Sequence, residues 1–248
     1  MGRTVAARAG ADESFILVGG IERAESVQES DGYPSLVTPD NVGSLLADAD
    51  VLVDFSAPPF LRSVLEGGRD SLRGKGIAVG TTGLGEAEQQ LLHETAKVAA
   101  VLTATNFSLG VNLLLGFAEQ AAAALGPGFD VEIVETHHRR KEDAPSGTAL
   151  SLGEAVARGR GIELSSARRD GRSGRPGARP DGEIAFHALR GGDVVGEHQV
   201  NFIGTMERIE LVHRAADRAL FAAGALRAAQ WLAGRAPGRY TMRDVLGI

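Results

Sequence analysis

The stretch from Glu135 to Ala149 concentrates residues that can move protons and hold anions. His137 and His138 can each donate a hydrogen bond or a proton near neutral pH. Neighbours on a strand point to opposite sides, so the pair would chelate a metal poorly. No His-x-x-x-His spacing and no cysteine accompanies it, so no metal site is expected. Lys141 follows Arg139-Arg140 in a chain with only two other lysines, Lys75 and Lys97. A lysine gives up a proton once its pKa falls, whereas an arginine effectively cannot. Taken alone, this is also what a solvated charge run looks like.

Pro145-Ser146-Gly147-Thr148 reads as a helix start. Ser146 can cap it, and Ala149, Leu150, Leu152, Ala155 and Val156 continue a helical pattern. The amides of Gly147 and Thr148 would then face outward at the positive end of the helix dipole, a place suited to a carboxylate or phosphate. Plain helix capping would produce the same pattern. Beside two histidines and a lysine, an anion-binding role becomes the better account.

In the first half, Glu22 follows an apolar run and sits where a dinucleotide-binding fold places the acid that holds the adenosine ribose. Arg23 beside it could take a 2′-phosphate. A surface Glu-Arg pair would look the same.

These residues need elements to position them. Four short apolar runs, Phe15–Val18, Val51–Phe55, Ile77–Val79 and Val101–Thr105, are bounded by glycine, proline or polar turns and read as buried parallel strands. Helical patterns lie between them, the clearest over Glu86–Ala99. Strand–helix alternation predicts a doubly wound sheet with ligands at the carboxyl ends of its strands. Ser56-Ala57-Pro58 and Gly80-Thr81-Thr82-Gly83 fall there. The second half predicts a helix over Val111–Leu125, then strands over Val131–His138, Glu183–Arg190, Val194–Ile203 and Glu207–Ala215. Gly191-Gly192 signals a hairpin between two of them. A last amphipathic helix follows Asp217. Ser165–Gly182, with five arginines and no aromatics, reads as a mobile surface loop that could attract an anion.

Composition narrows the class. The chain has 248 residues, enough for one large or two small domains, and 43% hydrophobic residues, an ordinary globular value. A net charge of −6 argues against nucleic-acid binding, and the absence of cysteine excludes disulfides and thiolate chemistry. No apolar run approaches the roughly 20 residues of a membrane helix, and no signal segment opens the chain. A soluble, cytoplasmic α/β protein that contacts neither nucleic acid nor membrane is expected.

In order along the chain, Val53-Asp54-Phe55-Ser56, Gly80-Thr81-Thr82-Gly83, the run from Thr105 to Asn112, the segment from Glu135 to Ala149, Gly196-Glu197-His198 and the run from Met242 to Leu246 resemble the dihydrodipicolinate reductase family. The resemblance covers the whole chain. It implies a Rossmann-like doubly wound parallel sheet plus a second α+β domain with a mixed or antiparallel sheet. Residues 1–107 and 218–248 would form the dinucleotide-binding domain, and 108–217 the substrate-binding and tetramerisation domain. It implies hydride transfer from NADH or NADPH to a small cyclic dicarboxylate, 4-hydroxy-tetrahydrodipicolinate, in the diaminopimelate–lysine pathway, by a homotetramer. Carried over, His137 is the acid/base histidine and Lys141 the proton donor. His138, Gly147 and Thr148 hold the substrate carboxylates. Glu22, Arg23, Gly80, Thr82, Ala104, Thr105, Phe107 and Arg218 line the cofactor.

The chain departs from that pattern at its start. Met1-Gly2-Arg3 corresponds to the end of the family's glycine-rich loop, so the first strand and most of that loop are missing. Either the natural protein is longer or this is a short form with impaired cofactor binding. The second case makes the chain a cofactor-deficient homologue, a non-catalytic binding or structural subunit. A dehydrogenase of an amino acid or amino aldehyde is a third reading, without a counterpart for the segment from Glu135 to Ala149. Without the first strand, Phe15–Val18 and Val51–Phe55 must pair directly or leave open edges, so a weakened dinucleotide domain is expected.

Overall fold

The computed structural model describes residues 1–27 and 33–248, in two compact units: Met1–Ser108 with Ala219–Gly247, and Leu109–Arg218 with Ile248. In the first unit, α1 (Gly2–Gly10) precedes two short strands, β1 (Gly20–Ile21) and β2 (Leu36–Val37), which pair in parallel as a sheet of their own. Then come α2 (Val42–Leu46), β3 (Val51–Asp54), α3 (Pro58–Gly67), β4 (Gly76–Val79), α4 (Glu86–Thr95) and β5 (Ala100–Thr103). Strands β3, β4 and β5 are parallel neighbours. All four residues of β4 are buried, which is why it reads as an unbroken apolar run. Pro58 and Pro59 open α3, where the missing N–H costs nothing.

The Phe15–Val18 run does not become a strand. It stays unpaired, with Ile16 90% exposed, and pairing begins only at Gly20. It therefore does not pair with β3, which forms the edge of its sheet. An apolar run needs a partner edge at hand to become a strand.

In the second unit, α5 (Leu109–Leu125), β6 (Asp130–His137), α6 (Gly147–Arg160), α7 (Leu164–Ala167), β7 (Arg168–Asp170), β8 (Ile184–Arg190), β9 (Gly196–Ile203) and β10 (Arg208–Ala215) form a helix layer on a five-stranded sheet. Its order is β10-β9-β6-β8-β7. The expected Gly191-Gly192 hairpin is absent, because β6 lies between β8 and β9, parallel to one and antiparallel to the other. The Gly191 N–H donates to the His137 carbonyl, and the Arg139 N–H donates to the Gly192 carbonyl. That turn thus closes over the end of β6, and the true hairpin joins β9 to β10.

The arginine-rich stretch is also more ordered than its composition suggests. Arg172 pairs with Glu132 and Glu183, and Arg179 with Asp130 and Glu132. Those two guanidiniums are occupied by carboxylates and offer little to an anion. One expectation about apolar runs also fails: residues 109–128 have the length and mean hydropathy (1.3) of a membrane-spanning helix. Here α5 packs against α6, and Leu114, Ala118 and Ala122 enter the core.

The chain returns to the first unit as α8 (Ala219–Leu232), β11 (Gly238–Tyr240) and α9 (Met242–Leu246). Strand β11 adds to β5, completing the all-parallel order β11-β5-β4-β3. Gly224 lets α8 approach closely, since a Cβ there would lie 1.7 Å from the Phe107 carbonyl oxygen.

Candidate active site

Strand β6 alternates strictly. Val131, Ile133, Glu135 and His137 are buried, and the residues between them are partly exposed. Val131 and Ile133 join the core under the helices, so the same face carries Glu135 and His137 inward at its end. Register then selects their neighbours. His137 stands opposite Arg190 on β8, and Glu135 opposite His198 on β9.

The Glu135 side chain is fully buried and takes four hydrogen bonds. His137 Nδ1 lies 2.5 Å from one carboxylate oxygen, and the Arg190 fork spans both oxygens at 2.7 and 2.8 Å. The Ser146 backbone N–H donates to the other oxygen at 3.1 Å. Burial by itself would raise this carboxyl's pKa. The bonds and charges of His137 and Arg190 outweigh that and bring it to about 2. An ionised carboxylate only accepts, so His137 Nδ1 carries the hydrogen. Gly196 sits beside the opposite nitrogen, where a Cβ would come within 3.0 Å of His137 Nε2.

His198 packs edge-on to His137 with ring centroids 5.1 Å apart, and its Nε2 lies 3.1 Å from Ser146 Oγ. Among the described residues, no carboxylate is hydrogen-bonded to it. Burial first, then the neighbouring His137, lowers its pKa to about 4. Of these two adjacent histidines, one is paired with an acid and the other is kept neutral, which sorts their roles.

Ser146 is the N-cap of α6. Its Oγ accepts from the Ala149 N–H at 3.2 Å, and its carbonyl accepts from Leu150. Gly147 and Thr148 are the first two helical residues, whose amides precede any intrahelical carbonyl. Gly147 is exposed. The loop from β6 to α6 is fastened by Arg190, which also donates to the Asp143 carbonyl at 2.7 Å. Lys141 Nζ pairs with Asp143 at 2.7 Å, its side chain 21% exposed, and lies near enough to act on His138 and His198 electrostatically. Arg218 Nη2 donates to His138 Nε2 at 3.2 Å. Burial, and then the charges of Arg140 and Arg218, lower the His138 pKa. The second unit thus brings together His137, His138, Lys141, Gly147, Thr148 and also Arg218, which the resemblance had placed at the cofactor.

The other expected residues lie in the first unit. Gly80 follows β4, where a Cβ would meet the Phe55 ring at 2.2 Å. Thr82 and Thr105 are exposed in the turns after β4 and β5, with Ala104 half-buried beside Thr105. Phe107 is buried edge-on against Phe55 at 5.2 Å. Glu22 follows β1, and its charge helps to raise the Tyr33 pKa, after burial. Arg23 is exposed, 3.7 Å from Glu25. Sequence reasoning missed the tie between the ends of β3 and β4: Asp54 accepts from Ser56 Oγ at 2.6 Å and from Thr81 Oγ1, and the Ser56 N–H donates to Thr81 Oγ1 at 2.9 Å. Burial raises the Asp54 pKa. Glu135, Arg190 and His198 were missed as well. A glutamate in phase with Val131 and Ile133 was the available signal for the first, since a buried acid requires partners.

An all-parallel sheet with open turns at its strand ends, beside a separate unit holding an acid-paired histidine, is the arrangement of an α/β protein that takes ligands at its strand ends. Models of the dihydrodipicolinate reductase N-terminus and C-terminus match residues 1–107 and 110–246. The chain belongs to the dihydrodipicolinate reductase family. Curated relatives include the 4-hydroxy-tetrahydrodipicolinate reductases of Alkalilimnicola ehrlichii, 51% identical over 88% of this chain and 80% of that one, and of Thiobacillus denitrificans, 45% identical over 100% and 95%. Among solved structures, a dipicolinate-bound dihydrodipicolinate reductase from Paenisporosarcina sp. TG-14 shares the fold. Its TM-score is 0.72 at 23% identity, covering 98% of this chain and 94% of that one.

The family implies a nicotinamide cofactor, and the first unit fits one. The strand-end turns present the exposed threonines Thr82 and Thr105, and a Cβ at Gly80 would meet the Phe55 ring, so that turn is held close.

Proposed function

We propose that the chain reduces 4-hydroxy-tetrahydrodipicolinate to tetrahydrodipicolinate in the diaminopimelate–lysine pathway, in the cytoplasm, the hydroxyl leaving as water while one hydride and one proton are added. The observation that carries this reading is the clustering in one unit of an acid-paired histidine, a lysine and a capped helix start. A cyclic dicarboxylate needs fixed cations and helix-end amides, and reduction needs a proton donor where negative charge develops. The amides of Gly147 and Thr148 hold one carboxylate, with His138 and Arg218 at hand for the charge. Lys141 Nζ releases the proton, and His137 Nε2, with its tautomer set by Glu135, serves as acid and base. A bound nicotinamide supplies the hydride.

Residues 1–108 and 219–247 form the dinucleotide-binding domain in this reading, and residues 109–218 the substrate domain. Glu22, Arg23, Gly80, Thr82, Ala104, Thr105 and Phe107 contact NADH or NADPH. Glu22 suits the ribose hydroxyls of the first and Arg23 the phosphate of the second. The subunits assemble as a homotetramer through the helix-free face of the mixed sheet, where Leu189, Ile203 and Val212 are exposed. Light scattering at micromolar concentration should give four subunits, and a monomer would refute the assembly.

Calorimetric titration with pyridine-2,6-dicarboxylate tests the substrate class. Binding by the wild type, lost in Thr148→Pro and weakened in His138→Ala, is expected. Equal binding by all three would remove the site from this segment.

A further inference from the structure

We propose that Glu135 is a positioning residue, a single buried carboxylate that fixes the His137 ring through one oxygen and the start of α6 through the other. This deepens the reductase reading and rests on it. Proton transfer and carboxylate binding are then held in one register, because the groups that perform them hang on the same side chain.

The geometry supports this in three ways. First, one carboxylate oxygen faces His137 Nδ1 and the other takes the Ser146 N–H, the amide of the residue that caps α6. A shift of Glu135 therefore displaces the acid/base ring and the Gly147 and Thr148 amides together. Second, the Arg190 fork engages both oxygens and also binds the Asp143 carbonyl, so the guanidinium that holds the carboxylate in place is the one that fastens the loop carrying Lys141. Third, four donors fill the carboxylate's acceptor sites. Glu135 has no site left for substrate, so it acts through His137 and α6. With Nδ1–H committed to Glu135, His137 presents Nε2, and Gly196 leaves space beside that atom.

A merely structural carboxylate would leave the histidine tautomer and the kcat-against-affinity pattern alone once the variant folds. The test is ¹⁵N NMR of the histidine rings in the full chain, with kinetics and pyridine-2,6-dicarboxylate titration, for wild type, Glu135→Gln and Arg190→Lys. Wild-type His137 should show one tautomer, protonated at Nδ1. In Glu135→Gln that signature should give way to a mixture. kcat should fall about 10²–10⁴-fold, and dicarboxylate affinity should fall with it. Arg190→Lys keeps the charge and loses one prong, so it should move both quantities in the same direction by less. It serves if Glu135→Gln fails to fold. A folded variant with an unchanged tautomer, or with affinity intact while kcat falls, overturns the proposal. The tautomer is read without substrate or cofactor. A wild type that ignores the dicarboxylate would therefore sink the functional reading while the NMR still decides the role of Glu135.

Discussion

Lys141 is the residue at which charge and proton supply can be separated. Lys141→Arg keeps a cation able to reach Asp143 but removes an accessible proton. Turnover should fall about 10²–10⁴-fold while pyridine-2,6-dicarboxylate affinity changes only a few-fold. Near-normal kcat would make Lys141 a binding group. His137, His138 and Lys141 could be picked from the sequence because their side chains advertise their chemistry and lie within five positions. Glu135 and Arg190 could not be paired that way. They stand 55 positions apart, and their meeting depends on β6–β8 register.

At the scale of elements, the start of α6 was readable because capping is local: Ser146 reaches only three residues ahead. Strand order was not. Period-two alternation tells which side chains face inward, but not which strand will be the neighbour. Gly191-Gly192 looked like a hairpin while in fact bridging over β6. The cap gives a measurable consequence. Ser146→Ala removes the bond to the Ala149 N–H and the partner of His198 Nε2. It should cost about 0.5–2 kcal/mol in urea unfolding and weaken dicarboxylate binding with little change in cofactor affinity. Unchanged affinity would detach the helix start from substrate recognition.

For the whole molecule, buried ionisable groups set the acid limit. The unfolded chain protonates His198 near its ordinary 6.5, whereas the folded chain resists until about 4. The unfolded state thus holds more protons in that window, and stability falls as pH drops through it. Glu132 and Glu135, both brought to about 2 against burial by their cationic partners, add a loss from about 4.5 downward. Urea midpoints should therefore decline from pH 6.5 towards 4, and His198→Asn should flatten that slope. An equally steep decline in the variant would assign it to other groups. The parallel sheet could be read from strand–helix alternation. The fate of Phe15–Val18 could not, since its apolarity says nothing of whether a partner edge is at hand.

The reductase proposal places the reduction of a cyclic dicarboxylate on the β6–α6 segment. The most direct measurement is the initial rate of reduced-nicotinamide oxidation by the full chain on 4-hydroxy-tetrahydrodipicolinate, for wild type beside His137→Gln. Saturable wild-type turnover with NADH or NADPH is expected, reduced about 10²–10⁴-fold in the variant. No wild-type turnover with either cofactor, or equal rates in the two proteins, would contradict it.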